Sequence, residues 1–145
     1  MKPFSIRKDD TILTITTHRE YSDDEHIEHL RELHEIMEEG KHAQIFRWVV
    51  INDLTTPVFG SAMHRRRQAK WMIDHDSEIR HRTAGVGFVI TSSLVRTTLT
   101  AVFWLAPLPT SHGIFSTLAE AQAWAKARDR HLIDPCVEKR RLATG

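Results

Sequence analysis

The sequence has very little cysteine and almost no net charge. Cys136 is the single cysteine among 145 residues, so an intramolecular disulfide is excluded. Lysine and arginine total 20 while aspartate and glutamate total 19, which gives a formal net charge of +1. This balance argues against a globally basic nucleic-acid-binding protein and against an acidic tail protein. We therefore expect no nucleic-acid partner.

Long apolar runs, internal repeats and Gly/Ser-rich linkers are also missing. No stretch approaches the roughly 18 apolar residues of a membrane-spanning helix, and the first ten residues hold no apolar run of signal-peptide length. We therefore expect a cytoplasmic protein without membrane insertion. Apolar residues still make up 41% of the chain, enough for an ordinary core. We predict one domain over residues 1–133 and a basic, flexible tail over 134–145.

β-Branched and densely apolar segments predict five strands. The first two would form a hairpin with its turn at Lys8-Asp9-Asp10. The third and fourth are short apolar runs typical of strands covered on both faces, as in a parallel sheet. Gly85 and Gly87 in the fourth indicate close approach by a neighbouring element. The strands are predicted at 4–8, 11–17, 45–51, 84–90 and 112–115.

Capping residues predict the first two helices. Ser22 or Asp23 can cap the first, and Gly40 is predicted to end it. Ser61 is predicted to cap a second helix over 62–80. The expected buried faces are Ile27, Leu30, Leu33 and Met37 in the first helix, and Ala69, Met72, Ile73 and Ile79 in the second.

Two further helices are predicted towards the end of the chain. Helical spacing indicates one after Thr91-Ser92-Ser93, although its β-branched residues leave a strand as the alternative. Thr117 and Glu120 form a capping box before the last. The apolar positions are Val95, Leu99, Val102 and Phe103 in the third helix, and Leu118, Ala121, Trp124, Ala125 and Leu132 in the fourth. The order β-β-α-β-α-β-α-β-α predicts an α/β fold: a single-layer, mostly parallel sheet with an antiparallel N-terminal edge hairpin and about four helices.

Three segments combine into a known architectural pattern. They are Trp48-Val49-Val50-Ile51-Asn52-Asp53-Leu54-Thr55, the strand, serine pair and helix from Val86 to Trp104, and Ile114-Phe115-Ser116-Thr117 with Glu120 and Ala123-Trp124-Ala125. Together they resemble the STAS-like, or SpoIIAA-like, domains of anti-sigma factor antagonists. The resemblance covers roughly residues 4–130. It implies a non-enzymatic protein-interaction module with no cofactor.

In the anti-sigma antagonists that the chain resembles, a serine at the helix start after the central strand is phosphorylated, which switches partner binding. Their local pattern is close to Asp-Ser-Ser/Thr-Gly, whereas this chain has Asp53-Leu54-Thr55-Thr56. Ser61 takes the helix-start position, so it is the candidate phosphosite, although a plain capping role is favoured. Loops after parallel strands usually carry the binding sites of such sheets. We expect an unidentified protein partner, or a second copy of the chain, at Asp53, Thr55, Thr56, Ser61, Arg65, Arg66, Ser92, Ser93 and Arg96.

A second hypothesis is binding of a small apolar, lipid-like ligand. Its lining would be Phe88, Leu99, Phe103 and Trp104. The apolar run 103–108 could instead pack against the sheet edge, or form an exposed patch for a partner.

The chain has ten histidines, which raises a third hypothesis, a histidine-based or metal-dependent enzyme. His26 and His29 share one helix face, but no second ligand pair is obvious, so we predict no metal site and favour a solvated, charge-mixed face. Neighbouring acids would then favour protonated histidine. An enzyme would require His26 or His29 to meet a second histidine and a carboxylate in one cleft.

Overall fold

The computed structural model describes residues 2–43 and 47–128. The strands are β1 (Phe4–Asp9), β2 (Ile12–Thr17), β3 (Trp48–Asp53), β4 (Thr83–Val89) and β5 (His112–Phe115). The helices are α1 (Asp23–Ala43), α2 (Ala62–Asp74), α3 (Asp76–Arg82), α4 (Ser93–Leu105) and α5 (Leu118–Arg128). None of the helices in these residues is both long and apolar enough to cross a bilayer.

The five strands form one sheet in the order β1-β2-β3-β4-β5. The β1–β2 pair is antiparallel and the other three pairs are parallel, which confirms the predicted mostly parallel sheet with an antiparallel edge hairpin. The hairpin turns without glycine because Asp10 adopts a left-handed backbone conformation, with φ of 55°. Aspartate tolerates that conformation better than most residues.

Helices cover both faces of the sheet. Val49 and Ile51 of β3 share a core with Ala121 and Ala125 of α5. Trp48, the first residue of β3, instead packs with residues of α1. Since successive side chains of a strand point to opposite faces, α5 covers one face. The other face carries α1 and α4, with α2 and α3 packed beside them.

Two predicted helix boundaries are wrong. The single helix predicted over 62–80 is two helices, because His75 leaves helical geometry with φ of −109° and ψ of 17°. Ile73, predicted to be buried, is 60% exposed, whereas Ala69, Met72 and Ile79 are buried as predicted. Helix α1 was predicted to end at Gly40, but it continues to Ala43. No described glycine adopts the positive φ of a helix-ending cap.

The buried face of α1 also differs from the prediction. His26 and His29 are only 2% and 8% exposed, whereas Ile27 is 52% exposed. The solvated histidine face that the sequence favoured is therefore wrong. The helix turns His26 and His29 towards the sheet together with Leu30 and Ile36, which are also buried.

Other local predictions are confirmed. The side chain of Ser92 accepts a hydrogen bond from the start of α4, which is a helix and not a strand. An added Cβ at Gly85 would lie 2.9 Å from the Trp124 ring, so that glycine permits the close approach of α5. The predicted domain limit at 133, the tail 134–145 and Leu132 lie outside the described residues.

Candidate functional site

The loops after β3 and β4 lie side by side at one edge of the sheet. The Leu54 amide donates to the Val89 carbonyl over 2.9 Å, and the Thr91 hydroxyl is 3.5 Å from the Thr55 carbonyl. The parallel β3–β4 pairing causes this, because it brings the carboxyl ends of both strands together. The loop from Asp53 to Ser61 therefore neighbours the start of α4.

Local hydrogen bonds fix the loop after β3. One carboxylate oxygen of the half-buried Asp53 accepts from the Thr55 amide (3.2 Å) and hydroxyl (2.8 Å). The Ser61 hydroxyl accepts from the His64 amide over 3.1 Å, which confirms its capping role at α2. Arg65 donates to the Gly60 carbonyl over 2.7 Å. Thr55, Thr56 and Ser61 remain exposed.

Exposed apolar side chains and cations surround these two loops. Phe59 and Met63 are 44% and 55% exposed beside Ser61, and Leu94 is 64% exposed in the first turn of α4. Arg66 and Arg96 are also exposed, as is Ser93. Neither guanidinium forms an ion pair with any of the described residues. The edge thus presents apolar area together with two guanidinium groups that lack ion-pair partners among the described residues.

The far end of α4 carries a second apolar patch. Trp104 is 85% exposed and Leu105 is 56% exposed, so the packing alternative is wrong for these two residues. Ala106 is buried and Phe103 is half-buried against the core of α2 and α3.

A cavity of about 260 Å³ lies between the sheet and helices α1 to α4. Of the four predicted lining residues, Phe88, Leu99 and Phe103 line it. Trp104 does not, because its side chain points outward and is 85% exposed. The walls are mostly apolar, and the polar lining residues are Thr17, Tyr21, His26, His29, Asn52, Gln68 and Thr83.

His29 is a buried polar group on the cavity wall. Its ring stacks on Phe4, with centroids 3.8 Å apart and an interplanar angle of 11°. Its Nδ1 atom has no hydrogen-bond partner among the described residues. Burial, with a smaller contribution from nearby His26, lowers the pKa of His29 to about 4. The ring is therefore neutral near pH 7, and the prediction of protonated histidines is wrong here.

His26 lies in a polar cluster at the same wall. Burial is the main reason that its pKa falls to about 4. Arg67 donates to His26 Nδ1 over 3.1 Å and to the Asp23 carboxylate over 3.0 Å. That carboxylate is also 3.1 Å from His64 Nε2. A hydrogen bond from Arg67 lowers the pKa of Asp23, so Asp23 stays ionised.

His26, His64 and Asp23 converge, as a histidine-based enzyme would require, but only His26 of the three lines the cavity. Neither ring nitrogen of His26 is available, however, to bind a metal or to accept a proton from a substrate. A guanidinium can only donate, so His26 Nδ1 uses its lone pair to accept from Arg67. The Nε2 atom faces the Gln68 side-chain oxygen at 3.4 Å. His26 therefore has no free lone pair for a metal or for a substrate proton.

Sequence reasoning missed Tyr21, Gln68 and the buried roles of both histidines. Burial raises the pKa of Tyr21, whose ring stacks on His64 at 4.8 Å. A signal was present in the spacing of α1. Positions 26, 29, 30, 33, 36 and 37 follow one helical face if histidine is counted as a core residue.

Comparison with known proteins gives a fold. No protein-family model matches the chain, and no curated protein matches it significantly. An uncharacterised DUF3478-family protein with a SpoIIAA-like fold, from Shewanella loihica, superposes with a TM-score of 0.56 and 14% identity, over 84% of this chain and 91% of that chain. An anti-sigma factor antagonist from Mycobacterium paratuberculosis superposes with a TM-score of 0.52 and 13% identity, over 85% of this chain and 92% of that chain. The predicted SpoIIAA-like, STAS-like fold is thereby confirmed.

Proposed function

We propose that the chain is a regulatory protein-interaction module with no catalysis of its own. Its docking surface would be the sheet edge formed by Asp53, Thr55, Thr56, Phe59, Ser61, Met63, Arg65, Arg66, Ser92, Ser93, Leu94 and Arg96. One observation carries the proposal: large exposed apolar side chains lie there beside two guanidinium groups that lack ion-pair partners among the described residues. Likeness to an anti-sigma factor antagonist supports a regulatory role.

The chemistry of this surface selects the partner. Phe59, Met63 and Leu94 would bury apolar area, and Arg66 and Arg96 would bind carboxylates at the rim. We therefore expect a cytoplasmic protein that presents an apolar segment flanked by aspartate or glutamate. A second copy of this chain is the alternative occupant.

Phosphorylation of Ser61 would be a suitable switch for this surface. Ser61 is exposed at the N-terminus of α2, where Arg65 donates to the carbonyl of the preceding Gly60, and Arg66 follows on the same helix. A phosphate there would add about two negative charges and would neutralise the cations that the partner needs. We expect Ser61→Asp to weaken docking in the same direction as Arg66→Glu.

The test is cross-linking in living cells with tagged chain, followed by calorimetry on the purified pair. Arg66→Glu and Arg96→Glu should each weaken binding about tenfold or more, which corresponds to about 1.4 kcal/mol. Lys126→Glu is the matched control, because Lys126 is exposed on α5 at the opposite face of the sheet. Equal partner affinity of wild type and the three variants would refute the docking surface. Sedimentation of the chain alone, with the same variants, reveals whether the occupant is a second copy.

The cavity supports a second candidate function, binding of a small apolar molecule that carries one polar group. Its volume of about 260 Å³ exceeds the about 150 Å³ of an engineered apolar cavity that binds benzene. His29 lines the cavity, and a small turn of its ring would present Nδ1, which has no hydrogen-bond partner among the described residues, to a hydroxyl or carboxylic acid.

Native mass spectrometry of the purified protein, and titration with decanol and decane, would test this function. His29→Leu should weaken decanol binding about tenfold and leave decane binding nearly unchanged, because only decanol can pair with the imidazole. A protein that binds neither probe would exclude this function. Equal affinity of the variant and wild type for decanol would exclude the role of His29.

A further inference from the structure

We propose that His34, His75 and Glu78 bind one zinc ion at the junction of α1, α2 and α3. This site is separate from the docking surface and from the His26 cluster. His34 lies on α1, His75 occupies the break between α2 and α3, and Glu78 lies on α3. One ligand atom from each residue lies within 4.8 Å of the other two.

The distances suit a zinc site. His34 Nδ1 is 3.2 Å from His75 Nε2 and 3.9 Å from the nearer Glu78 oxygen. Ligands about 2.0–2.1 Å from a tetrahedral ion are separated by about 3.3–3.4 Å, so modest side-chain rotations complete the geometry. Two imidazoles and one carboxylate form a familiar zinc ligand set with an open fourth position for water.

The surrounding hydrogen bonds already orient His75 as a ligand. His75 Nδ1 lies 2.8 Å from the Trp71 carbonyl oxygen, which can only accept. The hydrogen is therefore on Nδ1, and the lone pair of Nε2 is directed towards His34. Stacking on Trp71, with centroids 4.4 Å apart, fixes the ring. Such support of a metal-binding imidazole by a backbone carbonyl is common.

His34 has a comparable arrangement on its other nitrogen. Its Nε2 lies 4.0 Å from a Glu38 carboxylate oxygen. With Nδ1 on the ion, an Nε2–H would face this carboxylate, the usual outer partner of a zinc-bound histidine. The His34 and Glu78 side chains are 42% and 35% exposed, so an ion can enter from solvent.

A bound ion would fasten α1 to the α2–α3 break. Without zinc, His34 contacts the α2–α3 break and α3 through its hydrogen bond with His75 and its loose approach to Glu78, beside the packing of Met37 against the α2–α3 core. Met37 and Trp71, next to the site on α1 and α2, line the cavity. Zinc would therefore hold together the helices that wall the cavity, and removal of zinc would loosen them.

The experiment is calorimetric titration of the full chain, stripped with a chelator, with zinc sulfate. We expect one ion per chain for wild type, and at least about 100-fold weaker binding for His34→Gln, His75→Gln and Glu78→Gln. His81→Gln is the matched control, because His81 is exposed on α3 and outside the cluster. Glu38→Gln should weaken binding by less, about tenfold. Circular dichroism of each variant checks that it is folded.

Cobalt substitution supplies an independent readout. The visible absorption of cobalt in wild type should have the intensity of a four-coordinate site, and each ligand variant should lose it. No binding by wild type would overturn the proposal. So would binding that survives all three ligand substitutions, or that is lost instead on His64→Gln or Cys136→Ser.

Discussion

Acidification from pH 7 to pH 5 should destabilise the fold through His26 and His29. Both rings are buried and neutral, with the pKa lowered from 6.5 to about 4 in the folded protein. The unfolded chain therefore binds protons below pH 6.5 that the folded chain does not, and stability falls as the pH drops from 6.5 towards 4. Each histidine should contribute about 2 kcal/mol of this loss by pH 5.

Neighbouring charges do not reverse this direction. His26 faces Arg67 and His64, which oppose a further positive charge, and Asp23, which favours one. The Asp23 and Glu25 carboxyls have lowered pKa values, about 2 for Glu25 through its bond to Arg19, so they stay ionised down to pH 5. Their contribution is lost only at lower pH, outside this window.

Urea unfolding at pH 7 and pH 5 measures the effect. His29→Leu should remove about half of the pH-dependent loss, because leucine fills the site without a titrating group. At pH 7 the same variant should be close to wild type in stability, since the removed Nδ1 has no partner among the described residues. His81→Leu, at an exposed position, should leave the pH dependence unchanged. An equal loss in His29→Leu and wild type, or a total loss under about 1 kcal/mol, would refute the reasoning.

Three further changes test individual packing and capping interactions by urea unfolding. Gly85→Ala should destabilise by about 1–3 kcal/mol, because its new Cβ would lie 2.9 Å from the Trp124 ring; a neutral result would mean that α5 shifts freely. Ser61→Ala should lose about 1 kcal/mol with the cap on the His64 amide, and Ser61→Asp should retain most of it; equal losses would contradict a capping role. Trp104→Ala should change stability by less than about 0.5 kcal/mol, since the ring is 85% exposed, and a larger loss would show that it packs.

Strand order and helix order were predictable because they depend on local patterns. The dense apolar runs, the serine caps and the glycines of β4 each carry their signal within a few residues. The helix break was not predictable in this way. His75 leaves helical geometry while its side chain contacts the Trp71 carbonyl and His34, and His34 is forty-one residues away in sequence.

The same distinction between local patterns and distant contacts applies to the candidate sites. Ser61 and Ser92 were identified because each follows a strand and can cap a helix. The role of His29 was missed because histidine counts as polar in a periodicity argument, whereas Phe4 and the cavity bury it. Trp104 was placed in the lining since an apolar residue is expected to be buried, and only the rotation of α4 shows otherwise.

The strand order has a consequence for synthesis on the ribosome. Each strand after β1 pairs with the strand that precedes it in the chain, so the sheet can grow in the order in which it is translated. Burial does not follow the same order. The face formed by Val49, Ile51 and Val89 is covered only when α5 is made. A nascent chain that stalls before residue 118 would therefore expose a finished apolar face, and it should bind a chaperone there until α5 emerges.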